Sequence, residues 1–277
     1  MYLPYLSPYA LVLGPIRIHW YSVFMTLSIL GGGWYFVRTA LRRRLALDDR
    51  VYDLAIWTVV GGIIGARLMF VFANDPIWIV RDPLQILRIY QGGLSWHGAL
   101  AGGLGAAGLY VRRHPLRLNP LLDLIVPGAA FGYMLVRFGN IFNHEVLGRM
   151  TMFWFGRWPA QLVGASIGLA LLIRYLVRDR RDLPAGDQFW SFLFYHTILR
   201  AVFEETVRDN PLFFVHYVSP LYGIGFTTLT QVATPLILAI VVPLWIRAKR
   251  RNEPRWELGP SDEAPVPEGP PQAKPAT

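Results

Sequence analysis

Of 277 residues, 53% are hydrophobic and 16% charged, where soluble domains carry roughly a quarter charged. That balance argues against a water-soluble globular domain and points to lipid as the solvent. The net charge of +9 invites a nucleic-acid reading until its placement is considered. The chain has no cysteine, which excludes disulfides and thiolate metal sites.

Runs of about 20 apolar residues suffice to cross a bilayer. The sequence predicts seven, over 18–37, 51–72, 93–111, 121–142, 159–177, 187–206 and 226–246. Backbone groups in lipid must pair within their own segment, so helices are the default; the alternation of a membrane barrel is absent. At and just beyond the ends of the first, third, fifth and seventh spans, as far as Arg251, stand sixteen basic residues, among them Arg42, Arg113, Arg174, Arg178 and Arg250, against five in the other three links. The positive-inside tendency then puts the N-terminus outside and the C-terminus in the cytoplasm. The basic charge is therefore a topology signal, and no nucleic-acid partner is expected. Arg38 and the run Arg42, Arg43, Arg44 stop transfer behind the first stretch, which is expected to be a span and not a cleaved signal peptide. The expected architecture is an all-α membrane protein of seven transmembrane helices, one domain over 1–251. A disordered cytoplasmic tail, rich in Pro, Glu and Ala, follows over 252–277.

With this threading, Tyr21, Arg67, His97, Arg137, Asn140, Gln161, Arg200, Glu204 and Gln231 all fall toward the outer ends of their spans. Such side chains are costly in hydrocarbon and usually face a cavity or a partner. Each taken singly is equally explained by snorkelling or structural pairing; their convergence favours one shared polar site.

In the first span, an interfacial aromatic belt would account for His19-Trp20-Tyr21. The second brings Gly65-Ala66-Arg67, a phosphate-binding or a snorkelling arginine. The third opens Gly92-Gly93-Leu94-Ser95-Trp96-His97-Gly98, with Gly98 and Gly102 spaced for tight helix packing. An imidazole is the side chain suited to accept a proton near neutral pH, which makes His97 a candidate base, although a lone histidine is more often structural. At the end of the fourth span, Arg137 and Asn140 share a helix face, and Gly139 and Gly148 permit close backbone approach. A guanidinium fork suits a phosphate; the alternative is a helix end capped by Asn143 with a solvated Glu145. In the sixth span His196, Arg200 and Glu204 form one stripe. That pair either neutralises itself or holds the guanidinium rigid with one edge free for a ligand, while His196 reads as a buried structural histidine. The carboxylates are too few and too scattered for a magnesium site, so neither metal nor cofactor is expected. No serine sits in a nucleophile elbow. A site rich in cations and poor in anions should bind an anion.

These residues, in this order, resemble the prolipoprotein diacylglyceryl transferases, bacterial membrane enzymes that modify lipoprotein precursors. The resemblance is carried by His19-Trp20-Tyr21, Gly65-Ala66-Arg67, Gly92 through Gly98, and the block Arg137-Phe138-Gly139-Asn140 through Asn143, Glu145, Gly148 and Arg149. Pro159-Ala160-Gln161-Leu162, Arg200 with Glu204, and Gln231 complete it. It implies a monomeric, multi-pass protein of the bacterial plasma (inner) membrane, with phosphatidylglycerol, lipobox-containing prolipoproteins and membrane lipids as partners. The implied reaction moves the sn-1,2-diacylglyceryl group onto the lipobox cysteine thiol and releases glycerol phosphate. By resemblance, Arg137 and Arg200 bind phosphate, Tyr21 and Asn140 position the headgroup, and Glu145 and Glu204 orient the cluster. Gly148, Arg67, Gln161 and Gln231 complete the substrate site, and His97 is the candidate base.

Three features depart from the family pattern. Val163-Gly164 stands where Tyr-Glu usually follows Gln161. The segment between Arg149 and Pro159 is much shorter than the family's outer domain. Arg208 follows Glu204 by four residues and Glu205 by three. The competing readings are a non-catalytic homologue that binds phospholipid or lipoproteins, supported by Val163-Gly164, and a transporter of an anionic lipid or solute. The transporter would need polar groups near mid-membrane.

Overall fold

A computed structural model describes residues 6–14, 16–43, 48–74, 84, 86, 95–114, 116–213 and 218–256. The chain divides into two compact units, Met1–Thr39 with Asn119–Arg255, and Ala40–Leu118 with Trp256–Thr277.

The first unit begins with an antiparallel hairpin, β1 (Tyr9–Leu13) and β2 (Ile16–His19), turning at Gly14 with φ of 57°. Helix α1 (Trp20–Arg42) follows directly, so His19, read as part of the first span, is instead the last residue of a strand. Three further long helices, α4 (Leu118–Phe142), α5 (Ala160–Arg178) and α7 (Leu229–Arg251), belong to this unit. Between the latter two, α6 (Asp187–Leu199) runs into a π-helical turn, Arg200–Glu204, and one last helical turn, Glu205–Val207. A two-residue ladder, β3 (Val218–Ser219) with β4 (Ile224–Gly225), precedes α7. The apolar core is Val126 and Ala130 of α4, Ile167, Leu171 and Tyr175 of α5, and Phe192 of α6. Small residues let the helices close on it. A Cβ on Gly128 would come 2.9 Å from the Cα of Gly32, and one on Gly168 would come 2.8 Å from the Met134 nitrogen.

The second unit is built on α2 (Asp48–Asn74) and α3 (Trp96–Arg113). Their contact is a seam of glycines: a Cβ on Gly65 would lie 2.7 Å from Gly102 Cα, and one on Gly102 would lie 2.8 Å from Gly65 Cα. Gly98 and Gly102 thus pack as their spacing predicted. Ser95 caps α3 by accepting from the Gly98 amide at 3.4 Å.

Helical segments underlie the predicted spans, the sixth being α6 continued by the π turn and one last turn rather than a single helix. Four helical segments, Arg50–Phe72, Leu118–Phe142, Ala160–Arg178 and Leu229–Arg251, are long and apolar enough among the described residues to cross a membrane. Their large side chains face outward, with Leu236 71% and Ile240 64% exposed on α7.

Past α7 the chain does not simply leave the fold. Asn252 caps the helix with φ of 45°, and Glu253 O accepts from the Ala185 amide at 2.9 Å. Arg255, within the segment expected to be disordered, is 2% exposed. Its guanidinium donates to Asp123 at 3.0 Å and to Asp179 at 2.7 Å. A buried carboxylate at Asp123 needs such a partner, and the sequence offers no local one. Residues 257–277 lie outside the described residues.

Candidate active site

The site grows from the C-terminal end of α4. Arg137 and Asn140 are both buried, at 7% and 3% exposure. One turn earlier Tyr133 lies beneath Arg137, with the guanidinium 4.7 Å from the ring centroid. Arg137 Nη2 donates to the Tyr133 hydroxyl at 3.1 Å, and that hydroxyl donates in turn to Glu204 Oε2. Arg137 Nη2 also lies 2.7 Å from Glu204 Oε1. The arginine is therefore fixed from two helices.

The π turn explains why a glutamate reaches it. Widening the helix at Arg200–Glu204 places Glu204 and Glu205, adjacent in sequence, both at 0% exposure, whereas neighbours in a regular helix point about 100° apart. Glu205 accepts from Arg200 Nε at 3.3 Å and Nη2 at 3.2 Å, lies 3.6 Å from Arg208, and accepts from Asn210 Nδ2 at 2.8 Å. The π turn lies just where Glu204, Glu205 and Arg208 depart from the family spacing, and such turns recur at functional sites. Arg137 of α4 and Arg200 of the π turn pair with consecutive carboxylates, Glu204 and Glu205 respectively. Three guanidinium groups (Arg137, Arg200, Arg208) share two carboxylates, leaving a surplus positive charge. Arg200 and Arg208 retain partial side-chain exposure, 29% and 22%, against 8% for Arg137.

Gly164, the second residue of the Val163-Gly164 departure, faces this pair. A Cβ there would fall 2.6 Å from Arg137 Nε, 2.8 Å from Arg137 Cδ and 2.9 Å from Glu204 Oε2. The absent side chain is the space the Arg137–Glu204 pair occupies.

Other sequence-predicted residues hold this arrangement in place. Gln161, 5% exposed, donates to Glu145 O at 2.8 Å and fixes the chain after α4. Gln231 closes the capping box of α7 with Thr228 and donates to Ala201 O at 2.9 Å, serving a carbonyl of the π turn. Tyr21 packs on Gly139, where a Cβ would lie 3.1 Å from Tyr21 Cα. Three further residues stand as follows. Glu145 is exposed and lends its backbone carbonyl to Gln161, while the carboxylates buried against the arginines are Glu204 and Glu205. Gly148 packs against Trp158, whose Cβ would lie 2.7 Å from an added Cβ. Arg67 is 3% exposed and donates to Ile86 O at 3.1 Å, so it does not snorkel. Arg67 and His97 belong to the second unit; the His97 side chain lies outside the described residues. His196 is neighboured by aromatics, edge-on to Tyr133 at 4.8 Å and stacked on Phe192 at 5.7 Å, as a structural histidine would be.

Tyr133, Glu205 and Gly164 are the residues sequence reasoning passed over as members of the site. Tyr133 stands one helical turn before Arg137, a spacing that signals contact.

Helices long and apolar enough for lipid, with a cation-rich cluster at the end of α4, define a helical membrane protein. A profile of the family described as prolipoprotein diacylglyceryl transferase matches residues 8–246. The chain belongs to this family. It is 51% identical over 254 residues to a phosphatidylglycerol–prolipoprotein diacylglyceryl transferase of Thermoanaerobacter sp. (strain X514), covering 92% of this chain and 98% of the relative. Identity to the protein of that name from Caldanaerobacter subterraneus subsp. tengcongensis is 53%, over the same shares. To the one from Thermus thermophilus it is 34%, covering 82% and 93%.

Proposed function

We propose that this protein transfers the sn-1,2-diacylglyceryl group from phosphatidylglycerol to the lipobox cysteine thiol of prolipoproteins, the first step of bacterial lipoprotein maturation. One observation carries the reading: guanidinium groups from separate helices, locked by the consecutive buried carboxylates Glu204 and Glu205, in a chain of this family. The thiolate sulfur attacks the glyceryl carbon, a C–S bond forms, and the bond from that carbon to the phosphate oxygen breaks. The electron pair leaves on glycerol phosphate, and the thiol proton passes to a base. A free thiol is mostly protonated at neutral pH, so that base is needed; His97 is the residue we assign. Charge develops on the leaving phosphate, and preorganised cations in a water-poor site stabilise it without reorganising. Arg200 and Arg208, partly exposed, meet the phosphate, and Arg137 supplies fixed positive potential behind them. Tyr21 and Asn140 position the headgroup.

In the same reading the chain crosses the bacterial plasma membrane seven times as a monomer, N-terminus outside, as one transferase domain over 1–251 followed by a cytoplasmic tail. The test uses purified protein, phosphatidylglycerol vesicles and a lipobox peptide. A diacylglyceryl mass gain on the peptide cysteine supports the reading. Glycerol phosphate released without peptide modification would mean hydrolysis, and neither product would mean a binding protein.

A further inference from the structure

The end of the first unit that carries Arg137 and Arg200 also carries a surface the proposed reaction does not use. Residues 150–157 form a tight hairpin: Met150 bridges Arg157, the Thr151 amide donates to Gly156 O at 2.6 Å, and Gly156 turns with φ of 71°. It is tied to the turn over 219–223, where Met152 N donates to Leu221 O at 3.2 Å and Trp158 Nε1 donates to Tyr222 O at 2.7 Å. The paired loops project apolar side chains: Trp154 is 89% exposed, Met152 73%, Phe226 54%, Tyr222 51% and Leu221 46%. No charged residue occurs between 150 and 156 or between 218 and 229, which is not the composition of a loop washed by water. Contiguous apolar surface of this kind marks an interaction site.

We infer that these paired loops dip into the lipid headgroup layer and seat that end of the bundle at the membrane surface. Three observations favour lipid over a peptide partner. Trp154 stands on a projecting turn, where a peptide would call for a groove. The patch is continuous with α7, since Phe226 and Leu229 (62% exposed) run straight into the helix that exposes Leu236 and Ile240. The reach is also right. A hairpin of about four residues per arm extends at most ~13 Å beyond the helix end, and the headgroup layer is about 5–8 Å deep on each side of the hydrocarbon. Tryptophan and tyrosine favour that layer because one edge is apolar and the other donates a hydrogen bond.

The inference rests on the reading of these helices as membrane-spanning, and the absence of cysteine gives a test that separates the two. Single variants Trp154→Cys, Leu236→Cys and Asp182→Cys, the last an exposed site in the link between α5 and α6, are labelled with an environment-sensitive fluorophore. They are then reconstituted in phosphatidylcholine–phosphatidylglycerol vesicles. Headgroup-depth nitroxide lipids should quench the label at 154 at least threefold more than at 182, while aqueous iodide does the reverse. At 236, deep nitroxides should dominate. Quenching at 154 that matches 182 while 236 stays lipid-quenched overturns the inference alone. Protection of 154 from iodide only when a lipobox peptide is added overturns it in favour of a peptide surface. Loss of lipid quenching at 236 overturns the spanning reading and this inference with it.

Discussion

Replacing Gly164 with alanine adds one methyl group at the most constrained point of the site. Its carbon would sit 2.6 Å from Arg137 Nε, 2.8 Å from Cδ and 2.9 Å from Glu204 Oε2, each well inside van der Waals contact of roughly 3.5 Å. The far end of an arginine usually swings aside at little cost. Here it cannot, because Nη2 is held at 2.7 Å by Glu204 and at 3.1 Å by Tyr133. Overpacking of this sort costs about 1–3 kcal/mol. If the guanidinium is displaced far enough to break the buried pair, the cost rises to about 3–5 kcal/mol. Should about 2 kcal/mol of this appear in the transition state, kcat/KM falls roughly 30-fold. The assay is peptide diacylglyceryl transfer in vesicles, beside Leu169→Ala as a control on the outward face of the same helix, where Leu169 is 46% exposed. Gly164→Ser should be at least as damaging. Wild-type kcat/KM together with wild-type thermal stability for Gly164→Ala would refute the reasoning, since the pair would then not fill the space residue 164 leaves.

Other outcomes follow from the same geometry. Glu205→Gln removes the charge that Arg200 and Arg208 share and should lower transfer about a hundredfold, read as product mass per minute, while Asn210 still finds an amide oxygen. Tyr133→Phe removes the hydroxyl between Arg137 and Glu204; a buried hydrogen bond to a charged group is worth about 1.5–3 kcal/mol, so activity should fall about 10- to 100-fold. Arg255→Ala leaves Asp123, which is 0% exposed, with only the Gly186 and Phe189 amides and no cation, and should cost about 3–5 kcal/mol of stability. Its thermal midpoint in detergent should drop sharply, with kcat of the folded fraction unchanged. His97→Asn, on the assignment of the base, should slow transfer and shift its pH profile.

The helices were legible because lipid demands length and apolarity, both local properties. The glycine seam of α2 and α3 was legible because Gly98 and Gly102 declare their spacing. What escaped depends on partners distant in sequence. Nothing near Arg255 shows that it seeks Asp123, 132 residues away, and composition alone assigned it to a disordered tail. The π turn was present only as an awkward count between Glu204, Glu205 and Arg208, since a widened turn leaves no signature until the two carboxylates are seen buried together. Gly164 looked like a lost side chain and is the space in which Glu204 pairs with Arg137. Gln161 and Gln231 stood out as polar groups in apolar helices, but their hydrogen bonds to Glu145 O and Ala201 O give them scaffold roles that residue type alone does not reveal. Of the β1–β2 hairpin, only Ile18 and His19 were counted into the first span, and Tyr9–Leu13 ahead of it was given no element.

The most direct test compares Arg137→Lys and Arg137→Ala with the parent in the vesicle assay, each shown to remain folded by its elution profile in detergent. A guanidinium fixed by Glu204 and Tyr133 predicts that alanine abolishes the mass gain on the cysteine and that lysine, keeping the charge without the fork, restores only a small part. Parental rates from the folded alanine variant would contradict the account.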